Sequence, residues 1–436
     1  MSRSLPTRKI NLITLGCSKN LVDSEVLMGQ LSHNNVELLH DANEAADTVI
    51  INTCGFIVDA KQESINTIFQ FAQAKKRGEV KQLLVMGCLS ERYKKELIKE
   101  IPEVDAFYGV SELPEIIRHL GFDHRKDLLG ERLLTTPPHY AYLKIAEGCN
   151  RKCSFCAIPA IRGKHHSRKI EEILKEAELL AAKGVKELIL ISQDLSYYGL
   201  DLYGKRMLPE LVQSLAEIRD IDWIRLHYLY PTSFPKALFK VMRKNEKVCN
   251  YIDIPLQHIN SSILKSMKRG VDGPKTRELI REIRNELPGV AIRTAFIIGY
   301  PGETDRRYEE LKDFIVESRF ERMGLFAYSP EEGTSAFPLK SRLSKKKVQE
   351  RMDELMNIQE DISYQLNQKR SGKQIKVLID RKEGDYYIGR TEYDSPEVDN
   401  EVLVSSNSAL TVGQFYQVEI TGADPFDLLG KANQSD

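Results

Sequence analysis

The 436 residues carry 63 basic and 63 acidic side chains, and no apolar stretch approaches the ~18 residues of a membrane-spanning helix. That balance excludes the global basic field of a general nucleic-acid binder. The chain is long enough, at 42% hydrophobic content, for two or three domains. Residues 1–9 contain no apolar signal region, so the chain reads as cytoplasmic. Seven cysteines, an odd number without a signal peptide, read as metal or catalytic thiols rather than disulfides.

In chain order, an apolar run over 10–15 ends at Gly16-Cys17 and is followed by a helical pattern over 21–31. A β-branched run over 48–51 ends at Cys54, and a third over 83–86 ends at Gly87-Cys88. Strand, turn and helix in repetition predict a parallel α/β sheet. Ligands of such sheets bind beyond the carboxyl ends of the strands, where all three cysteines fall. After Pro137-Pro138 come six apolar runs, at 142–146, 188–192, 223–228, 251–256, 291–298 and 323–328. Amphipathic helical stretches such as 170–183 and 275–287 lie between them, which predicts a partial (βα)₆ barrel with its site at the strands' C-terminal ends. A Lys-rich helical stretch over 343–369 leads to short β runs at 375–379, 386–390, 401–404 and 415–420, the pattern of a small antiparallel barrel.

Six cysteines form two sets of three. Cys149, Cys153 and Cys156 share one loop just past the first barrel strand, and Cys17, Cys54 and Cys88 sit at three strand ends. A closed zinc site takes four ligands, whereas a four-iron cluster held by three cysteines leaves one iron open. Zinc with His165 or His166 as fourth ligand stays open as the alternative for the compact set. Cys249, which precedes the fourth barrel strand, reads as packing. Tyr197, Tyr198 and Tyr203 either line a substrate mouth or pack a loop, and His227 and His258 read as structural.

The motif C-x₃-C-x-Φ-C, with Phe155 before the last cysteine, resembles the radical S-adenosylmethionine (SAM) superfamily. The resemblance implies that the open iron binds SAM and that an electron from the cluster cleaves it to a 5′-deoxyadenosyl radical. It also implies that Phe155 lies against the adenine. Ser192-Gln193-Asp194 stands where many members carry Gly-Gly-Glu for the SAM amino group, and the turn at Gly299 resembles the ribose-side turn; a plain βα turn explains Gly299 equally well.

Three cysteines ahead of such a core and a small β-barrel behind it resemble the methylthiotransferases, whose last unit is a TRAM domain. The runs ITLGCSKNLVDSE, INTCGFI, MGCLSERY and AYLKIAEGCNRKCSFCAIPAIRGKH are similar to the branch that modifies a ribosomal protein. Domains at 8–124, 135–366 and 367–434 follow from the resemblance. It implies two [4Fe-4S] clusters, on Cys149, Cys153 and Cys156 and on Cys17, Cys54 and Cys88. It further implies SAM as methyl donor and radical source, an electron donor, and an aspartate β-carbon in a basic small-subunit ribosomal protein as target.

Sibling enzymes act on transfer-RNA adenosine, which is the alternative reading. From 370 to 436 the count is seven basic and twelve acidic residues, seven minus twelve giving −5. That balance disfavours a phosphate backbone and favours a basic protein as the docked partner. A two-cluster electron carrier is the rival from another class, and it has no use for six βα units.

Overall fold

The computed structural model describes residues 8–128, 130–340 and 343–432. Residues 1–7, which carry most of the signal-peptide argument, lie outside the described residues. So do 433–434, the end of the expected third domain, and Asp436 of the acidic count. Among the described residues no helix is long and apolar enough to cross a membrane.

Five parallel strands form the first sheet, in spatial order Val36–His40, Arg8–Thr14, Thr48–Thr53, Gln82–Gly87 and Ala106–Phe107. Thr48–Thr53 is buried at every position, as a central parallel strand covered on both faces must be. The three cysteine-bearing ends belong to adjacent strands, because Arg8–Thr14 pairs with Thr48–Thr53 and that strand with Gln82–Gly87. Of the five strands, Val36–His40 and Ala106–Phe107 were not anticipated. No residue of the first is fully buried, and the second is two residues long.

The central unit has the six expected strands in two parallel triplets. Tyr140–Lys144, Glu187–Ile191 and Trp223–Leu226 form one, and Tyr251–Asp253, Ala291–Ile298 and Arg322–Ala327 the other. A parallel bridge from Ile224 to Val248 joins them. Alternation divides the two faces. Ala141, Leu143, Leu188, Leu190, Ile224, Ile252 and Ile292 pack under the surrounding helices in one large core. The opposite, concave face carries Tyr142, Ile189 and Ile191, against which helix Ser18–Leu31 of the first unit sets Val22. The N-terminal sheet thus covers the barrel mouth through a helix that starts immediately after Cys17.

Helix Lys345–Gln368 leads into a closed five-strand barrel, Gln374–Glu383, Tyr386–Arg390, Val402–Ser405, Leu428–Ala432 and Phe415–Ala423. The strand Leu428–Ala432 was not anticipated. It closes the barrel, and its pairing with Val402–Ser405 is parallel while the other pairings are antiparallel. The loop 391–400 of this unit meets the floor of the central barrel. Buried Asp394 accepts from Arg322 Nε at 2.8 Å, and Asp399 accepts from Tyr251 Oη at 2.6 Å and Arg293 Nε at 3.2 Å. In exchange Arg390 reaches Glu187 at 2.8 Å, which also accepts from Arg225 at 2.7 Å. Tyr140, Glu187, Tyr251 and Arg322 all open their strands, so this contact lies at the end opposite the cysteines.

Candidate active site between the two cysteine sets

Gly16, Gly87 and Gly148 each precede a cysteine and each has positive φ, at 95°, 98° and 77°. This lets the chain turn sharply off a strand. At Gly148 a β-carbon would meet Lys164 O at 2.1 Å, and at Gly16 it would meet Cys54 Sγ at 3.0 Å. The second contact places the Cys17 turn against Cys54. Cys88 opens helix Cys88–Glu100 and packs on Ala157 and Ile161, directly after the compact cysteine loop. The two sets therefore face one another across the joint between sheet and barrel.

The thiols are free, with Cys17 exposed, Cys54 and Cys88 buried, and the compact three half-buried. Burial pushes the Cys88 and Cys156 thiols up to about 12 and Cys149 up to about 11, and raises Cys54. Such thiols reach the thiolate form when a metal displaces the proton. Backbone N–H groups two residues on point to three of them: Arg151 N to Cys149 Sγ at 3.4 Å, Phe56 to Cys54, and Ile158 to Cys156. Hydrogen bonds of this kind tune cluster sulfurs. Cys153 Sγ also takes Arg269 Nη1 at 3.4 Å and lies 3.3 Å from Tyr230 Oη.

Among the described residues, no three His, Cys, Asp or Glu groups converge as ligands of one ion. A cluster needs no such convergence, since each cysteine binds a different iron. His165 makes its contacts to Ser167 Oγ at 3.1 Å and to the Tyr197 ring at 4.9 Å, and the neighbouring His166 is exposed. The donor set fits iron–sulfur clusters better than zinc.

Phe155 packs with Ile263, Met267, Ile297 and Tyr300 beside the fifth strand's end. Ser192 Oγ accepts from Asp194 N at 3.1 Å, fixing the turn that presents Gln193. Gln193 Nε2 donates to Glu147 at 2.8 Å, while Gln193 Oε1 and Asp194 Oδ1 are buried without a partner among the described residues. Two orphaned acceptors beside the cysteine loop suit an ammonium donor. Gly299 has a packing reason as well: a β-carbon there would meet Val348 Cγ2 at 2.5 Å.

A half-buried ionic network centred on buried Arg162, which sequence reasoning missed, ties the two sets together. Arg162 donates to Asn20 Oδ1 at 2.6 Å, Asp23 at 3.1 Å and Glu147 at 2.9 Å, and Lys144 bridges the same Asp23 and Glu147. Asn20, in turn, donates to Leu15 O and Thr53 O, one residue or two from the cysteine turns. The signal lay in the charged residues flanking both cysteine motifs, but pairing across 139 positions is invisible without the fold.

The remaining candidates are structural here. Tyr198 is buried with its hydroxyl on Arg168 O, and Tyr203 accepts from Ile170 N, so both pack the loop. Cys249 is buried with Trp223, Tyr251 and Leu378. His227 bonds Ser395 Oγ at 2.9 Å, and His258 Nδ1 accepts from Ile259 N at 2.9 Å.

Comparison with known proteins agrees with this construction. Residues 143–315 match the radical SAM superfamily, 9–109 the family described as uncharacterized protein family UPF0004, and 372–432 the TRAM domain. The half-barrel with its cysteine loop is thus that of a radical SAM enzyme. The solved structure of the radical SAM methyltransferase TsrM from Kitasatospora setae shares the fold, with a TM-score of 0.54 at 14% identity over 76% of this chain and 77% of that one. The chain is 55% identical over 431 residues to the ribosomal protein uS12 methylthiotransferase RimO of Christiangramia forsetii, spanning 99% of this chain and 95% of that protein. It is 56% identical to the RimO of Bacteroides thetaiotaomicron, over 97% of this chain and 98% of that one. The chain belongs to the RimO methylthiotransferase family.

Proposed function

We propose that the enzyme attaches a methylthio group to the β-carbon of an aspartate in ribosomal protein uS12. One observation carries this reading: Cys88 packs on Ala157 and Ile161, which supports placing the strand-end thiols beside the compact loop. The relatives named RimO support the substrate. An unactivated C–H bond has no useful acidity, so side-chain acid/base chemistry does not break it and cofactors must supply the step. When bound, two [4Fe-4S] clusters and SAM would supply the sulfur, the methyl group and the hydrogen-abstracting radical.

The chain's own residues hold and orient. Cys149, Cys153 and Cys156 would ligate the SAM-cleaving cluster, and Cys17, Cys54 and Cys88 the auxiliary one. Gln193 Oε1 would accept from the SAM ammonium, with Ser192 shaping its turn. Phe155 would face the adenine, and Gly299 would leave room beside the ribose. The working units are 8–124, 135–366 and 367–434, in the cytoplasm, with an electron donor as second partner. The acidic third unit would draw in the basic substrate through the carboxylates left on its outside, Glu383, Asp385, Glu419 and Asp424, because Asp394 and Asp399 face the barrel floor.

Mass spectrometry on a strain lacking the gene tests the reading, with ribosomal proteins and digested transfer RNA measured together. Loss of one methylthio increment from uS12, with transfer RNA unchanged, is expected. Loss from an adenosine instead would transfer the chemistry to the nucleic-acid substrate.

A further inference from the structure

Among the described residues at the barrel mouth, Lys19 stands outside the ionic network. The cations nearby on the cysteine side are matched: Lys144 and Arg162 share Asp23 and Glu147, and Arg151 has Asp194. Lys19 is 7% exposed, yet it has no hydrogen bond or ion pair among the described residues. A buried cation without a counter-ion is unfavourable. Lys19 is also the second residue of helix Ser18–Leu31, where the helix dipole disfavours positive charge.

What holds the ammonium is the face of Tyr228, with Nζ 3.2 Å from the ring centroid. Tyr228 follows the third barrel strand, Trp223–Leu226, at the mouth, and its backbone stands at φ 62°. A bulky aromatic rarely adopts that conformation, and strain of this kind gathers at ligand sites. The turn is pinned from both sides, by Tyr228 N to Asp253 at 3.0 Å and Leu195 N to Tyr228 O at 3.1 Å. An uncompensated cation is therefore held in one orientation, two residues from Cys17, on the concave face between the two cysteine sets.

We infer that Lys19 Nζ is the anchor for the side-chain carboxylate of the substrate residue, an inference that rests on the aspartate reading above. An ammonium holding one carboxylate oxygen leaves the β-carbon two bonds from that oxygen, near the two cysteine sets. The same cation makes the site select aspartate over an uncharged isostere, because the amide would leave Lys19 buried and unpaired.

The test uses cluster-loaded enzyme and two basic peptides carrying the uS12 target sequence, identical except for Asp or Asn at the target. Binding is measured by fluorescence anisotropy and methylthio incorporation by mass spectrometry. The wild type is expected to bind the Asp peptide about 100-fold more tightly than the Asn peptide. Lys19→Gln should erase that preference by weakening the Asp peptide alone, and Lys19→Arg should keep part of it. If Gln does not fold, Lys19→Met, which keeps the stem against Tyr228, carries the same comparison. Equal weakening of both peptides, or an undiminished preference in the variant, overturns the anchor. A wild type that modifies neither peptide overturns the aspartate reading and the anchor with it.

Discussion

On the proposed function, cysteines of one chemical type would do two jobs here, and single substitutions separate them. Cys153 belongs to the loop that would cleave SAM. Its alanine variant is expected to abolish 5′-deoxyadenosine formation while iron bound by the strand-end set remains. Retained cleavage, measured by chromatography of the nucleoside, would rule out the assignment. Cys54→Ala should do the reverse, leaving cleavage and stopping methylthio transfer. Arg162 hydrogen-bonds the Cys88 thiol and, through Asn20, Asp23 and Glu147, braces the joint between the two sets. Replacing it with Met leaves Asp23 and Glu147 sharing Lys144 as their one cation in a half-buried setting. A loss of about 1–3 kcal/mol is expected, less than for a fully buried pair, because Asp23 and Glu147 are 16% and 32% exposed and keep Lys144. Thermal denaturation of the purified protein measures it.

Strand ends decide where these residues go, and at this scale much was legible. Apolar runs ending in Gly16-Cys17, Thr53-Cys54 and Gly87-Cys88 marked the three turns, and at the first an L side chain at Gly16 would sit in a disfavoured backbone region and against Cys54. Gly16→Ala is accordingly expected to push Cys54 away. Iron at the strand-end set should fall in metal analysis while that of the compact loop persists. Full iron content in the variant would show that the turn tolerates a side chain. Elements whose residues carry weak patterns were not legible: Val36–His40 is half-buried along its length, and Leu428–Ala432 interrupts its apolar residues with Gly430 and Lys431. Arg162, Glu147 and Lys19 escaped for another reason. A charged residue reads as solvated surface until the fold supplies, or conspicuously withholds, its partner.

The acidic balance of the last unit shows the same limit across the whole molecule. A count of −5 reads as an outward docking face, yet Asp394 and Asp399 turn inward to Arg322 and Arg293, and Asp380 pairs with Arg390 and His139. The third unit is thereby fastened to the barrel floor by exchanged charges, and its attachment should depend on pH. Burial works against ionisation of Asp394, Glu187 and Asp380, but the adjoining arginines prevail and hold all three below the usual carboxylate range. A carboxylate lowered on folding contributes stability above its unfolded value, and that contribution is lost as pH falls through the folded value. Asp399 has the opposite sign: burial raises it despite Arg293, so it favours the fold least when ionised. Three lowered groups outweigh one raised group. The contact should hold above about pH 4, near the unfolded aspartate value, and weaken progressively below it. Calorimetry is expected to show one transition at neutral pH that splits in acid, the third unit separating first. Asp394→Asn should produce the split at neutral pH, because Arg322 is 5% exposed and would lose its ionised partner. A single transition under both conditions would mean that the apolar contact of Trp223, Tyr251 and Leu378 fastens the unit without help from the charges.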